Sequence, residues 1–252
     1  NIPPSKDEST MNPHLILFGA SGGIASALRK RLESADWQIT AVSRHPDQVS
    51  GPGPRTRVFE ADATTESGVK AAFAFAESEV GIPTAAVNCL GNVFLKPVHR
   101  TSPAEFSEVM KLHVFSSFLI LREACGRMKP GGSIALISSV AVQTGLPNHE
   151  SIAAAKGAVE GLIRSSAATY AGKGIRVNGV APGLTETPAT AALCQGPARQ
   201  ISEKMHPLGR IGQPEDVASA LAWLLDPEQS WVSGQILHID GGLGQLRKLP
   251  SG

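Results

Sequence analysis

A doubly wound α/β fold, with a parallel sheet covered by helices on both faces in a single domain, is predicted by three features of the sequence. Short apolar runs alternate with helical segments along the chain, and each parallel crossover must carry a helix over the sheet. The first apolar run, His14 to Phe18, breaks into a glycine-rich turn, Gly19 to Ala25, that opens a helix. The length of 252 residues and the 42% hydrophobic content suit one large domain with a sizeable core, and no Pro/Gly/Ser-rich linker divides it.

Charge and composition narrow the partners. The net charge is +1, with 23 Lys and Arg against 22 Asp and Glu, so neither nucleic acid nor a membrane surface gains electrostatic support as a partner. Cys89, Cys125 and Cys194 lack metal-ligand spacing and read as reduced thiols of a cytoplasmic protein without a metal. No apolar run approaches the roughly 20 residues that span a bilayer, and no secretory signal opens the chain. The polar leader Asn1 to Thr10 is expected to be a disordered tag remnant before Met11, with one domain over 11–252.

In order, the strand His14 to Phe18 meets Gly19, Ser21, Gly22, Gly23 and Ile24, and the helix continues through Leu32. Strand, glycine turn and helix N-terminus together form a nucleotide pyrophosphate site: the backbone approaches the phosphates and the helix presents N–H groups to them. A second strand, Trp37 to Ser43, ends in Ser43-Arg44-His45. A carboxylate at this strand end would hold ribose hydroxyls, whereas an arginine meets a 2′-phosphate, so Arg44 favours NADP(H) over NAD(H). The other reading of Arg44 is a solvated loop residue.

Arg57 to Ala61 reads as the third strand, followed by Asp62-Ala63 and a helix from Glu66 to Val80; Asp62 is equally suited to an Asx turn or cap. Thr84 to Val87 is the fourth strand and leads into Asn88-Cys89-Leu90-Gly91. Ser102 to Met128 reads as one long helix, started by Ser102-Pro103, with His113 inside it. An apolar run, Ile134 to Ile137, reads as a strand that delivers Ser138 and Ser139 at its end. A Pro147-Asn148 turn then opens a small-residue helix whose spacing puts His149, Ile152 and Lys156 on one face. Gly174 to Ala181 is another strand, ending in Pro182-Gly183-Leu184-Thr185-Glu186-Thr187. Pro188 to Met205 is alanine-rich and carries no clear element; a helix over Val217 to Leu225 and the run Val232 to Gly242 close the chain.

From about His14 to Gly242 these motifs resemble the short-chain dehydrogenase/reductase family, the closing segments Pro207 to Asp216 and Val232 to Gly242 most of all. The resemblance implies a Rossmann-type three-layer sandwich with a seven-stranded sheet of order 3-2-1-4-5-6-7 and a mobile substrate lid at about 185–206. It also implies a homo-tetramer or homo-dimer built through the two long helices and the C-terminal segment. The glycine turn matches the family's Gly-x-x-x-Gly-x-Gly, with Ala25 in the third place. Asp62, with Ala63, would lie beside the adenine, Asn88 and Gly91 would floor the cofactor site, and Pro182, Gly183, Thr185 and Thr187 would meet the nicotinamide carboxamide. Ser139 matches the serine that polarises a carbonyl and Lys156 the lysine that holds the nicotinamide ribose, while His113 stands where the family has an asparagine.

The family's Tyr-x-x-x-Lys here reads Ile152-Ala-Ala-Ala-Lys156. Isoleucine cannot donate a proton. The chain's one tyrosine, Tyr170, is fourteen residues past Lys156, in a segment that lies far from the site in relatives. Three groups are candidates for a replacement acid: His149, near the helix N-terminus; His113, through water to Lys156; and Lys156 itself, through an ordered water, if burial lowers its pKa. His149 also reads as a plain turn residue. Losing a positioned general acid costs ~10²–10⁴-fold in rate. The expected function is therefore an NADP(H)-dependent oxidoreductase with a modified acid–base group, acting on a small-molecule carbonyl, alcohol or activated double bond. The alternative is a cofactor-binding protein without turnover, serving as a sensor or accessory subunit.

Overall fold

A computed structural model describes residues 13–247; the leader Asn1 to Thr10 lies outside them. Seven strands form one parallel sheet: β1 (His14–Phe18), β2 (Gln38–Ser43), β3 (Thr56–Glu60), β4 (Ala85–Asn88), β5 (Ser133–Ile137), β6 (Arg176–Pro182) and β7 (Ile236–Ile239). Their order is β3-β2-β1-β4-β5-β6-β7, as the resemblance implies. The order reverses between β1 and β4, which leaves a crevice beyond the carboxyl ends of those strands.

Alternate residues of β1 enter opposite cores, because successive side chains in a strand point to opposite faces. Leu15 and Leu17 pack with α1 (Gly23–Glu33) on one face, where α7 (Pro214–Leu225) also docks. Ile16 and Phe18 face α2 (Glu66–Glu79) on the other, together with α4 (Ser116–Arg127) and α5 (Glu150–Tyr170). Between them, the two cores use all five described helices over ten residues long to cover the sheet, and no helix of the described residues is long and apolar enough to cross a membrane.

The long helix expected over Ser102 to Met128 is not uniform. It runs as α3 (Pro103–Met110), a wider π turn over Lys111–Phe115, and then α4. The π turn has its cause in hydrogen bonds: the Ser116 and Ser117 hydroxyls donate back to the Leu112 and His113 carbonyls at 2.6 and 2.7 Å, and the Asn88 amide donates to both hydroxyls at 3.1 and 3.0 Å. Serine bonding to a carbonyl four residues back bends and loosens a helix. The Pro188 to Met205 segment, unassigned from sequence, forms a 3₁₀ turn (Pro188–Leu193) and α6 (Gly196–Met205). Other boundaries move by a few residues, most at the last run, where pairing with β6 keeps only four residues as β7.

Candidate active site

At the crevice a cavity of about 420 Å³ opens between the carboxyl ends of β1, β4, β5 and β6 and the α6 segment. Two consecutive turns assemble its floor. Gly19 turns the chain after β1 with φ of +74°, and a Cβ there would sit 2.8 Å from the Cys89 carbonyl carbon, so glycine alone fits. Gly22 then precedes α1, its amide donating to the Gly19 carbonyl at 3.0 Å, and Gly23 and Ile24 start the helix at the cavity wall without a side-chain cap.

The β5–α5 unit supplies the polar groups. Ser139 caps the short turn after β5, its hydroxyl accepting from the Ala141 amide at 3.2 Å. Lys156 is 7% exposed and donates to the Ile137 carbonyl at 2.7 Å. Burial pulls its ammonium down to about 8, with a smaller opposing pull from Cys89. Burial pushes the neighbouring Cys89 thiol up to about 12, which leaves it protonated and unreactive at neutral pH. One turn before Lys156, Ile152 is equally buried and belongs to an apolar cluster with Val109 and Ala155, bordered by Phe94 and Met110.

Ser139, Ile152, Lys156, His113 and His149 all border this one cavity. His149 is the residue before α5, and its Nδ1–H donates to the Pro147 carbonyl at 2.8 Å. His113 is 2% exposed, and its Nε2–H donates to Asn92 Oδ1 at 3.2 Å. Burial, aided by the Lys156 charge, pushes His113 down to about 3. It is a neutral imidazole throughout the physiological range, which removes it as a proton-donating imidazolium.

Gly91, Pro182, Gly183, Thr185 and Thr187 also reach the cavity. A Cβ on Gly183 would meet His206 Nε2 at 2.5 Å, so this turn needs glycine beside the end of α6. Seven expected site residues do not line it. Gly19 lies beneath its floor, and Asn88 directs its amide to Ser116 and Ser117 and accepts from the Leu90 amide at 2.9 Å, so it braces the π turn and the strand end. The other five form an open shelf past β1, β2 and β3. There Ser43 donates to Ser21 at 3.3 Å, Arg44 is exposed beside Asp62, and Ala63 is buried beneath. Asp62 forms the Asx turn, accepting from the Thr64 amide and hydroxyl at 2.9 and 2.8 Å. Burial would raise the Asp62 carboxyl, but those two bonds and the Arg44 and Lys111 charges together hold it below the usual range.

Several participants carry no sequence signal. Asn92 holds His113, Glu160 accepts the Ser138 hydroxyl at 2.9 Å, and Leu95, Leu146, Met205 and Leu243 come from loops or a segment without a clear pattern. Among the described residues no three His, Cys, Asp or Glu side chains are grouped as metal ligands.

Comparison with known proteins bears on this geometry. The family described as enoyl-(acyl carrier protein) reductase matches residues 19–244. The chain is 33% identical over 248 residues to 2-(S)-hydroxypropyl-CoM dehydrogenase 3 of Xanthobacter autotrophicus, covering 92% of this chain and 96% of that protein. It is 33% identical over 236 residues to 7alpha-hydroxysteroid dehydrogenase of Escherichia coli, covering 90% and 92%. A short-chain type dehydrogenase/reductase from Mycobacterium ulcerans superposes with a TM-score of 0.89 at 26% identity, covering 95% of this chain and 92% of that one.

Proposed function

The chain belongs to the short-chain dehydrogenase/reductase family, and from that premise we propose that it is an NADP(H)-dependent oxidoreductase of carbonyls, alcohols or activated double bonds that works without the family's phenol. The observation that carries the reading is the presence of Ser139 and Lys156 in the lining of one cavity together with the buried Ile152.

The residues present fit a dinucleotide. The uncapped amides at the start of α1 suit a pyrophosphate. The shelf offers the Arg44 guanidinium, and the strand end carries no carboxylate to repel a 2′-phosphate. Lys156 and the Asn88–Gly91 and Pro182–Thr187 turns would hold the nicotinamide half. When bound, that group supplies or accepts the hydride.

The chain's own residues then do three things. The Ser139 hydroxyl donates to the substrate oxygen and stabilises the charge that builds on it. The Lys156 ammonium lends positive potential from a water-poor position. Ile152 excludes water from the place a phenol would occupy, so the proton comes through Lys156 and an ordered water, with His149 at the rim as the second route. An acceptor that tolerates late protonation, such as a conjugated double bond, suits this arrangement best.

We further propose a homo-dimer or homo-tetramer. Phe106, Phe115 and Phe118 stand exposed along α3, the π turn and α4, two of them stacked at 6.2 Å, and Trp231 is fully exposed near β7. Light scattering after gel filtration tests this, and a monomer at micromolar concentration refutes it.

The activity is tested by titrating NADPH fluorescence and then following absorbance at 340 nm against ketones, aldehydes, quinones and enones. Binding with substrate-dependent loss supports the oxidoreductase. Binding without loss on any class supports the turnover-free alternative.

A further inference from the structure

Building on the oxidoreductase reading, we propose that the cavity selects an uncharged, apolar substrate and rejects compounds that carry an ionised group away from the reacting carbon. Away from Ser139 and Lys156, the apolar part of its wall is made by Leu95, Leu146, Leu193, Ala198, Met205 and Leu243, with Thr190 and Ser202 as uncharged hydroxyls beside them. Leu95 and Met205 are 38% and 43% exposed although they border a concave site. Covering such surface with an apolar ligand is favourable by roughly 25 cal/mol per Å².

Charge supplies the second half of the argument. Lys156 is the one lysine among the described residues of the lining, and it sits at the reacting end, bonded to the Ile137 carbonyl. Among the described residues no arginine, aspartate or glutamate lines the cavity. The nearby guanidiniums are engaged elsewhere: Arg199 on α6 with Glu186 and Glu203, and Arg210 with Asp216. His113, held in place by Asn92, is neutral and offers a carboxylate no charge. A carboxylate in the apolar half would therefore be buried without a partner, which disfavours its entry.

The test uses one ring with and without a charge. Methyl 4-oxocyclohexanecarboxylate and the free 4-oxocyclohexanecarboxylate are compared, with 1-decalone as a bulkier neutral ketone. Turnover is read at 340 nm with NADPH, and binding is read separately by calorimetry in the presence of NADP⁺. The ester is expected to exceed the acid on the order of 100-fold in kcat/KM and in affinity. Leu146→Arg is expected to narrow or invert that ratio by supplying the missing cation. If neither ring compound is turned over but the ester still binds better, the cavity's selectivity stands, and the oxidoreductase reading falls only if the quinones and enones are not turned over either. If the acid equals the ester by both measures, or if neither neutral ketone binds at millimolar concentration, the proposed selectivity is overturned while NADPH binding and turnover of other substrates remain unaffected.

Discussion

Lys156 donates to the Ile137 carbonyl at 2.7 Å, and one turn later Glu160 accepts the hydroxyl of Ser138 at 2.9 Å, so adjacent residues at the end of β5 are tied to successive turns of α5. This double tie holds the following residue, Ser139, and Lys156 in the same wall although no phenol stands between them.

Restoring the phenol tests what Ile152 has cost. Ile152→Tyr is expected to raise kcat on a simple ketone by ~10²-fold or more, since a positioned acid contributes ~10²–10⁴-fold. Steady-state kinetics at 340 nm decide it. An unchanged kcat means that proton supply does not limit this site.

Because burial brings Lys156 down to about 8, a reductive step that uses its proton should slow as pH rises through that value. Lys156→Met should lose both the activity and the pH break. A wild-type rate that is flat from pH 7 to 9 removes Lys156 from the proton route.

Arg44→Asp should weaken NADPH about 10–100-fold, the worth of a lost charge-assisted contact, and leave NADH binding equal or better. Paired fluorescence titrations read both cofactors. An unchanged NADPH affinity would return Arg44 to the role of a solvated loop residue.

Two histidines make the fold sensitive to acid. His14, bonded to the Gly81 carbonyl at 2.9 Å and to the Thr40 hydroxyl at 2.9 Å, is lowered to about 4 by burial, and His113 to about 3. Both folded values lie below the unfolded 6.5, so between these limits the unfolded chain binds more protons than the folded one. Their contribution is full above pH 6.5 and is lost as pH falls toward 4, by about 1.4 kcal/mol per group per pH unit at most. Urea unfolding without cofactor at pH 7, 6 and 5 should show this decline, and His113→Asn should make it shallower.

Glu160 is 2% exposed and also pairs with Arg164 at 2.7 Å. Glu160→Leu leaves the Ser138 hydroxyl buried without its acceptor, for a loss of roughly 1–3 kcal/mol in thermal or urea unfolding. Glu160→Gln keeps an acceptor and should recover part of that loss. If kcat falls with the Leu variant and returns with Gln, the tie positions Ser139 for chemistry; recovery of stability alone limits it to the fold.

The sequence by itself determined the sheet, the glycine turn before α1 and the absence of a phenol at position 152. Each rests on local information: apolar runs of strand length, glycines at fixed offsets, and a chain whose one tyrosine, Tyr170, lies at the far end of α5 and packs against the core there. It also placed His149, Ile152 and Lys156 on a common face, because helical spacing is a property of neighbours along the chain. The π turn around His113 escaped that logic, since its cause includes Asn88, 28 and 29 residues away from the serines it bonds. So did the roles of Asn92, Glu160 and Leu243. Only the tertiary structure decided that Lys156 is softened toward neutrality, that His113 stays uncharged and that Asp62 forms an Asx turn. Proton affinity depends on how completely the folded chain removes water from a group and which distant charges and donors it brings close, and neither can be read from the residues on each side of it.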